Sequence, residues 1–158
     1  MQTNEELRNI ESFRTIIDRI INDGNTDLCE RYLHPDMAIR RYGLTSLSAL
    51  LIPNPPPPAA DAIAGFKAGL AQIRAAFPDW SHTIDHVVAK DDWVSGTWTL
   101  NCTHLGTFMG LPPTQRSVKM NEAGFMRFVD GRMVEGWFIG DELGMARQLG
   151  VECSVPKD

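Results

Sequence analysis

The chain has little cysteine and nothing that organises it. Cys29, Cys102 and Cys153 are three in number and contain no C-x-x-C pair, which excludes a disulfide framework or a cysteine-built zinc module as the basis of the fold. We read them as reduced thiols. There is no excess of basic charge either: fifteen Lys and Arg stand against twenty Asp and Glu, for a net charge of -5 and a pI near 5.3. Phosphate binding needs a basic face, so nucleic acid is excluded as the main partner. No apolar run approaches the roughly 20 residues that span a bilayer. The N-terminus, MQTNEELRNI, lacks the basic start and apolar core of a secretory signal. These features lead us to expect a cytoplasmic protein without a membrane partner.

Several motifs are also missing. The chain contains no G-x-x-x-x-G-K-[ST], no G-x-G-x-x-G and no G-x-S-x-G, the signatures of nucleotide-phosphate cradles and hydrolase elbows. His82 and His86 have the spacing of a helical metal pair, but a strand separates them by about 13 Å, too far to share one ion. His34-Pro35-Asp36 reads as a helix stop. Asn101-Cys102-Thr103 matches a glycosylation sequon only formally, since it falls mid-strand in a chain with no export signal.

What is present reads as one α+β domain spanning residues 1–158. Leu7, Ile10, Phe13, Ile16, Ile17, Ile20 and Ile21 recur at three- and four-residue steps, which predicts an amphipathic helix from Asn4 to Asn22. Asp23-Gly24 ends it. A shorter helix is expected from Asp27 to Leu33, and a strand from Met37 to Tyr42. Residues 44–58 hold an apolar run and then Pro53 and Pro55 to Pro58, a loop insertion that we read as a lid over a pocket mouth. Helical spacing returns from Ala59 to Ala76. Strands are expected at Ile84 to Val88, Trp93 to Phe108, Ser117 to Val129 and Arg132 to Ile139. Helices first and strands afterwards predict an antiparallel sheet with one face covered by the N-terminal helices.

The most informative stretch is GFMRFVDGRMVEGWFIGD, Gly124 to Asp141. Asp130-Gly131 suits a two-residue type I′ turn between two strands. Strict alternation after that turn puts Met133, Glu135, Trp137, Ile139 and Asp141 on one face, opposite Met126 and Phe128. Two carboxylates on an apolar face require a reason, because burial without a partner is costly. Asp141 is also placed to cap a short helix, ELGMARQLG. Trp98, Leu100 and Cys102 alternate with polar residues, and the same parity carries His104 onto the apolar side. A lone histidine there is more often a hydrogen-bonded core residue, but beside a carboxylate it makes an acid/base pair. The same two-residue turn sends Arg127 to the other face, toward a structural or dimer-interface role, unless a β-bulge reverses its parity.

The series Ala75-Ala76-Phe77-Pro78-Asp79, Thr103-His104, Gly106, Phe108-Met109-Gly110, Pro112-Pro113-Thr114-Gln115-Arg116, Arg127, Asp130-Gly131-Arg132, Glu135, Trp137, Asp141 and Gln148-Leu149-Gly150 resembles, in order and spacing, the SnoaL-like polyketide cyclase family. The resemblance implies the cone-shaped fold shared with nuclear transport factor two and ketosteroid isomerase, a homodimer, and a pocket between sheet and helices. It further implies that Asp141 is the general acid/base of an intramolecular aldol closure that uses no cofactor and no metal. The chain departs from the family pattern at Cys102, at Gln115, in the proline-rich insertion, and at Arg40-Arg41-Tyr42, where relatives often carry a histidine.

The expected function is therefore a cofactor-independent cyclase acting on a small apolar, polyketide-like molecule. Asp141 and His104 are the catalytic candidates, and Trp98, Met126, Glu135 and Trp137 the substrate-binding ones. Ether-ring closure, isomerisation or dehydration in the same pocket is the alternative. A non-catalytic binding or dimerisation module is the second, since fold alone does not fix function.

Overall fold

A computed structural model describes residues 2–42 and 61–152. The proline-rich stretch read as a lid lies outside the described residues.

Helix α1 (Asn4–Thr15) opens with a capping box. The Thr3 hydroxyl accepts from the Glu6 amide at 3.1 Å, and the Glu6 carboxylate accepts from the Thr3 amide at 2.8 Å. The helix then widens into a seven-residue π-helical segment, Ile16–Asn22, whose Ile16, Ile17 and Ile20 are buried with Phe13. Arg74 donates to the carbonyls of Ile21 and Asn22, satisfying acceptors that the end of a helix leaves open. The second helix is shorter than its sequence suggests: a 3₁₀ turn at Thr26–Leu28 leads into α2 (Cys29–Tyr32). Strand β1 (Leu33–Tyr42) follows at once. Pro35 sits in its irregular first part, where the register shifts between Leu33 and Ala38, as suits an edge strand. Asp61 caps α3 (Ala62–Ala76) by accepting from the Ala64 amide at 2.7 Å.

The remaining strands are β2 (Ser81–Lys90), β3 (Trp93–Thr103), β4 (Ser117–Val129) and β5 (Arg132–Gly140), ending in helix α4 (Glu142–Gln148). They form one sheet in the order β1-β5-β4-β3-β2. β2 to β5 are antiparallel neighbours, as expected, but β1 joins β5 in parallel, so the sheet is mixed. The reason is connectivity. No hairpin ties β1 to its neighbour, and a long connection through α3 permits the parallel approach.

One face of the sheet carries the helices. Trp98, Leu100 and Cys102 of β3 and Val118, Met120, Met126 and Phe128 of β4 are buried there in two apolar clusters, one around Phe13 and Trp98, the other around Phe77 and Leu100. Burying each such side chain contributes about 1.5–3 kcal/mol. Gly124 keeps this face closed: a Cβ there would stand 2.5 Å from the Trp137 carbonyl and 3.1 Å from the Trp98 ring.

The hairpin turn is the predicted one, with φ of 50° at Asp130 and 77° at Gly131. Phe128 pairs with Met133 as expected, but Arg127, not Met126, pairs with Glu135, because Val134 is an extra residue. That bulge flips every later side chain of β5. Glu135 and Trp137 therefore lie on the outer face, and Gly136 and Phe138 turn inward. Arg127 stays outside with them.

Candidate functional site

Besides His104, the fold buries chemistry-bearing side chains that were not foremost in the sequence. Glu122 lies on the inner face of β4 between Met120 and Gly124, and is only 5 % exposed. His82, on β2, brings Nε2 to 2.8 Å from Glu122 Oε2, and Trp98 Nε1 donates to the same oxygen at 2.9 Å. The Arg41 guanidinium, from β1, donates to Glu122 Oε1 through Nη2 and to Glu142 Oε1 through Nε at 2.9 Å. Gly140 makes room for this group, since a Cβ there would meet Glu122 Cγ at 3.2 Å.

Each element has a part in the construction. The π-helical segment ends by setting Asn22 against the edge strand β2. Its side-chain oxygen accepts from the His82 amide at 2.8 Å, and its nitrogen donates to the His82 carbonyl at 2.8 Å. An edge strand leaves such groups unpaired; here a side-chain amide takes their place and fixes His82. A hydrogen-bonded chain thus runs Asn22–His82–Glu122–Arg41–Glu142, from the first helix to the last across the sheet.

The electrostatics follow from this wiring. Burial alone would raise the Glu122 carboxyl, but the His82 hydrogen bond and the Arg41 charge outweigh it and hold the group down at about 2. Burial opposes the charge on Arg41, yet its two carboxylates leave its pKa raised. Glu142 goes the other way: burial pushes its carboxyl up against the opposing pull of Arg41. Two atoms of the cluster, His82 Nδ1 and Glu142 Oε2, are buried with no hydrogen-bond partner. An unmet buried polar atom costs about 1–3 kcal/mol. The site therefore holds one firmly ionised carboxylate, a second whose pKa burial raises while it pairs with Arg41, and a buried imidazole nitrogen without a partner.

The residues expected from sequence fall into three groups. Trp98 and Met126 lie on the helix-covered face, at 3 % and 1 % exposure, and Trp98 touches the cluster directly. Glu135 and Trp137 do not share that face. The Val134 bulge puts them outside, where Glu135 pairs with Arg40 at 2.8 Å and with Arg127 at 3.4 Å, and Trp137 Nε1 donates to Glu135 at 2.9 Å. This corrects the inward placement that strict alternation predicted.

Asp141 is exposed at the start of α4, its Oδ1 accepting from the Gly144 amide at 2.9 Å. It does not sit in an apolar enclosure. It stands between Gly140 and Glu142, both of which touch the cluster. His104 is fully buried, as its parity predicted. Thr114 donates its amide to His104 Nδ1 at 3.2 Å, and Phe77 packs at 5.1 Å between ring centres. Burial lowers its pKa, with the Gly106 backbone opposing. The structure does not bring Asp141 and His104 together. The Asp141 amide donates to the Asn121 carbonyl on β4 and the His104 amide to the carbonyl of Arg116, the residue just before that strand; five extended residues separate the two carbonyls, or about 17 Å.

Glu122, His82, Arg41, Glu142 and Asn22 were not selected from sequence. A signal existed for Glu122, a glutamate in step with Met120, Gly124 and Met126 on an alternating strand. Among the described residues there is also an open depression of about 400 Å³ lined by Asp79, Asn101, Thr103, Lys119 and Gln148. It contains none of the cluster. No group of three or more His, Cys, Asp or Glu able to hold a metal occurs among the described residues, and no described helix is long and apolar enough to cross a membrane.

Comparison with known proteins gives consistent matches. The family model for SnoaL-like polyketide cyclase matches residues 11–149. Nogalonic acid methyl ester cyclase of Streptomyces nogalater is 28 % identical over 133 residues, covering 82 % of this chain and 88 % of that protein. Aklanonic acid methyl ester cyclase DnrD of Streptomyces peucetius is 28 % identical over 94 residues, covering 58 % of this chain and 64 % of that protein. Among solved structures, IdmH of Streptomyces antibioticus superposes with a TM-score of 0.72 at 28 % identity, covering 90 % of this chain and 99 % of that one. A protein from Jannaschia sp. CCS1 superposes at 0.78 with 19 % identity, covering 97 % and 99 %, and carries information on the fold alone.

Proposed function

Because this chain belongs to the SnoaL-like polyketide cyclase family, we propose that it closes a carbon ring in a polyketide-like substrate by intramolecular aldol addition, with Asp141 as the acid/base. The observation that carries the reading is the hydrogen-bonded Glu122–His82–Arg41–Glu142 cluster, its two carboxylates and imidazole buried and Arg41 partly exposed, with Asp141 at its border. An aldol closure needs a base for a proton next to a carbonyl and polar groups to hold the substrate as oxyanion charge develops. Buried ionised groups fixed by mutual hydrogen bonds are suited to that, because they need no reorganisation during the reaction. Such closure is an isomerisation: the proton taken from carbon is returned to the new alkoxide, with no redox partner required.

The reading extends to assembly as a homodimer through the outer face. Trp93, Phe125, Trp137 and Tyr42 form a row across four strands, with ring centres 5.6, 6.0 and 5.9 Å apart, and Arg40 lies 4.6 Å over Trp137. Phe125, Tyr42 and Ile139 are 44 %, 57 % and 57 % exposed, a contiguous apolar surface of the kind that marks interfaces.

The test uses the substrates named in the relatives. Purified protein is incubated with nogalonic acid methyl ester or aklanonic acid methyl ester, and isomeric product of unchanged mass is followed by chromatography and mass spectrometry. Asp141→Asn is the informative variant, because Asn caps a helix about as well as Asp. We expect a rate loss of about 10²–10⁴-fold at unchanged melting temperature. Undiminished turnover in the variant would remove Asp141 from the mechanism, and failure of the wild type to isomerise any polyketone would defeat the cyclase reading.

A further inference from the structure

The two ends of α4 are held in different ways. At the far end Met145 and Leu149 are buried in the apolar cluster around Phe77, and the Gln148 side chain exchanges two hydrogen bonds of 2.9 Å with the Lys119 backbone. At the near end the Asp141 amide donates to the Asn121 carbonyl at 3.1 Å. The side chain that ties this end to the sheet is the next one, Glu142. It turns inward, 7 % exposed, and its Oε1 accepts from Arg41 Nε at 2.9 Å. Among the described residues its other oxygen has no partner. Seven residues are too few for a helix to hold itself in water, so these contacts decide where α4 and its cap lie.

Arg41 is itself fixed at its root and at its tip. β1 pairs with β5 from Ala38 to Tyr42, and Nη2 donates to Glu122, which His82 and Trp98 also hold. A guanidinium presents its donors in a rigid fork, so one planar group serves two carboxylates, a geometry that the point charge of an ammonium does not reproduce. The bond to Glu142 does not depend on that residue's protonation, because a carboxyl oxygen accepts from the guanidinium in either form.

We infer that Arg41 and Glu142 are positioning residues for Asp141: the guanidinium pins the first turn of α4 to the sheet and thereby fixes the carboxylate that accepts from the Gly144 amide. The catalytic consequence rests on the reading of Asp141 as the acid/base, whereas the tether itself stands on the geometry. Misplacing a reacting group by about 1 Å costs on the order of 10²-fold in rate, so releasing the tether lowers kcat more than it weakens substrate binding.

Glu142→Leu keeps the volume and removes the acceptor, leaving Arg41 its bond to Glu122. With nogalonic acid methyl ester as substrate, we expect kcat to fall at least about tenfold while KM stays within about threefold. Glu142→Gln keeps an acceptor oxygen and should recover most of that loss. Added to Asp141→Asn, Glu142→Leu should cost less than about twofold more, because it acts through a side chain already removed. An equal cost in both backgrounds would show a general structural role and overturn the inference. Amide exchange followed by NMR reads the tether without turnover: the Gly144 amide should exchange with water at least about fivefold faster in Glu142→Leu than in the wild type. Should Glu142→Leu fail to fold, Arg41→Lys takes its place, with the same fall in kcat and the same faster exchange. Unchanged Gly144 exchange, or no recovery of rate in Glu142→Gln, would overturn the inference. Undiminished turnover in Asp141→Asn would defeat the acid/base reading alone, and Gly144 exchange would still decide the tether.

Discussion

Replacing Glu122 with glutamine removes one charge from the centre of the network while keeping the shape and most of the hydrogen bonds. In the folded chain the Glu122 carboxyl lies at about 2, against 4.5 for an unperturbed glutamate. That gap corresponds to about 3 kcal/mol of folding stability. A depressed carboxyl contributes its stability above the unfolded value and loses it as pH falls toward the folded one, so the contribution is full at pH 7 and drops to less than half by pH 3. The amide of Glu122→Gln does not titrate. The variant should therefore be about 3 kcal/mol less stable than wild type at pH 7, or about 6–12 °C lower in melting temperature for a domain of this size. The difference should shrink by more than half at pH 3. Arg41 keeps Glu142 as a remaining anion, and losing the neighbouring Glu122 charge eases the ionisation of Glu142, which keeps the variant folded enough to measure. Urea unfolding of both proteins at the two pH values provides the test. A gap below about 1 kcal/mol at pH 7, or one that does not change with pH, would refute the assignment of Glu122 as the ionised anchor of the network.

Two further outcomes are expected. Gly144→Ala places a Cβ 2.2 Å from Asp141 Oδ2 and so drives the carboxylate off its cap; the lost cap, about 1 kcal/mol, is offset by a similar gain in helix propensity. The melting temperature should hold within a few degrees while turnover falls at least about tenfold through misplacement of Asp141, and unchanged turnover would count against the catalytic role. Trp137→Glu, in the middle of the outer aromatic row, should lower the mass seen by light scattering from twice 17.6 kDa to that of one chain. A mass unaffected by the substitution would move the dimer contact elsewhere.

Much of the fold was legible because it rests on local chemistry. The three- and four-residue spacing of Ile10, Phe13, Ile17 and Ile20 specifies a buried helix stripe, and Asp130-Gly131 specifies its turn. Both occur where expected. The alternation of Trp98, Leu100 and Cys102 correctly assigned the inner face of β3 and carried His104 into the core. What sequence did not reveal was the parallel docking of β1 on β5, because a strand with no hairpin partner bears no mark of which edge it will join. The site depended on that unseen step: Arg41 reaches Glu122 only because β1 lies beside β5, with Arg41 opposite Phe138 and in reach of the strand beyond.

The hairpin shows how one residue redistributes function between two faces. Under strict alternation Glu135, Trp137 and Asp141 would share a chamber with Met126. The extra residue at Val134 sends Glu135 and Trp137 out to meet Arg127, Arg40 and Tyr42, turning a supposed pocket wall into the middle of an exposed aromatic row. The bulge leaves β4 unshifted, so Glu122 keeps its inward position, and the turn into α4 directs Glu142, not Asp141, toward Arg41. An unshifted hairpin would have turned Glu135 inward, away from the Arg40 and Arg127 guanidinium groups it now meets, and burial of an unpaired carboxylate is costly. The bulge thus separates an outer charged and aromatic surface fit for association from an inner network fit for holding a substrate.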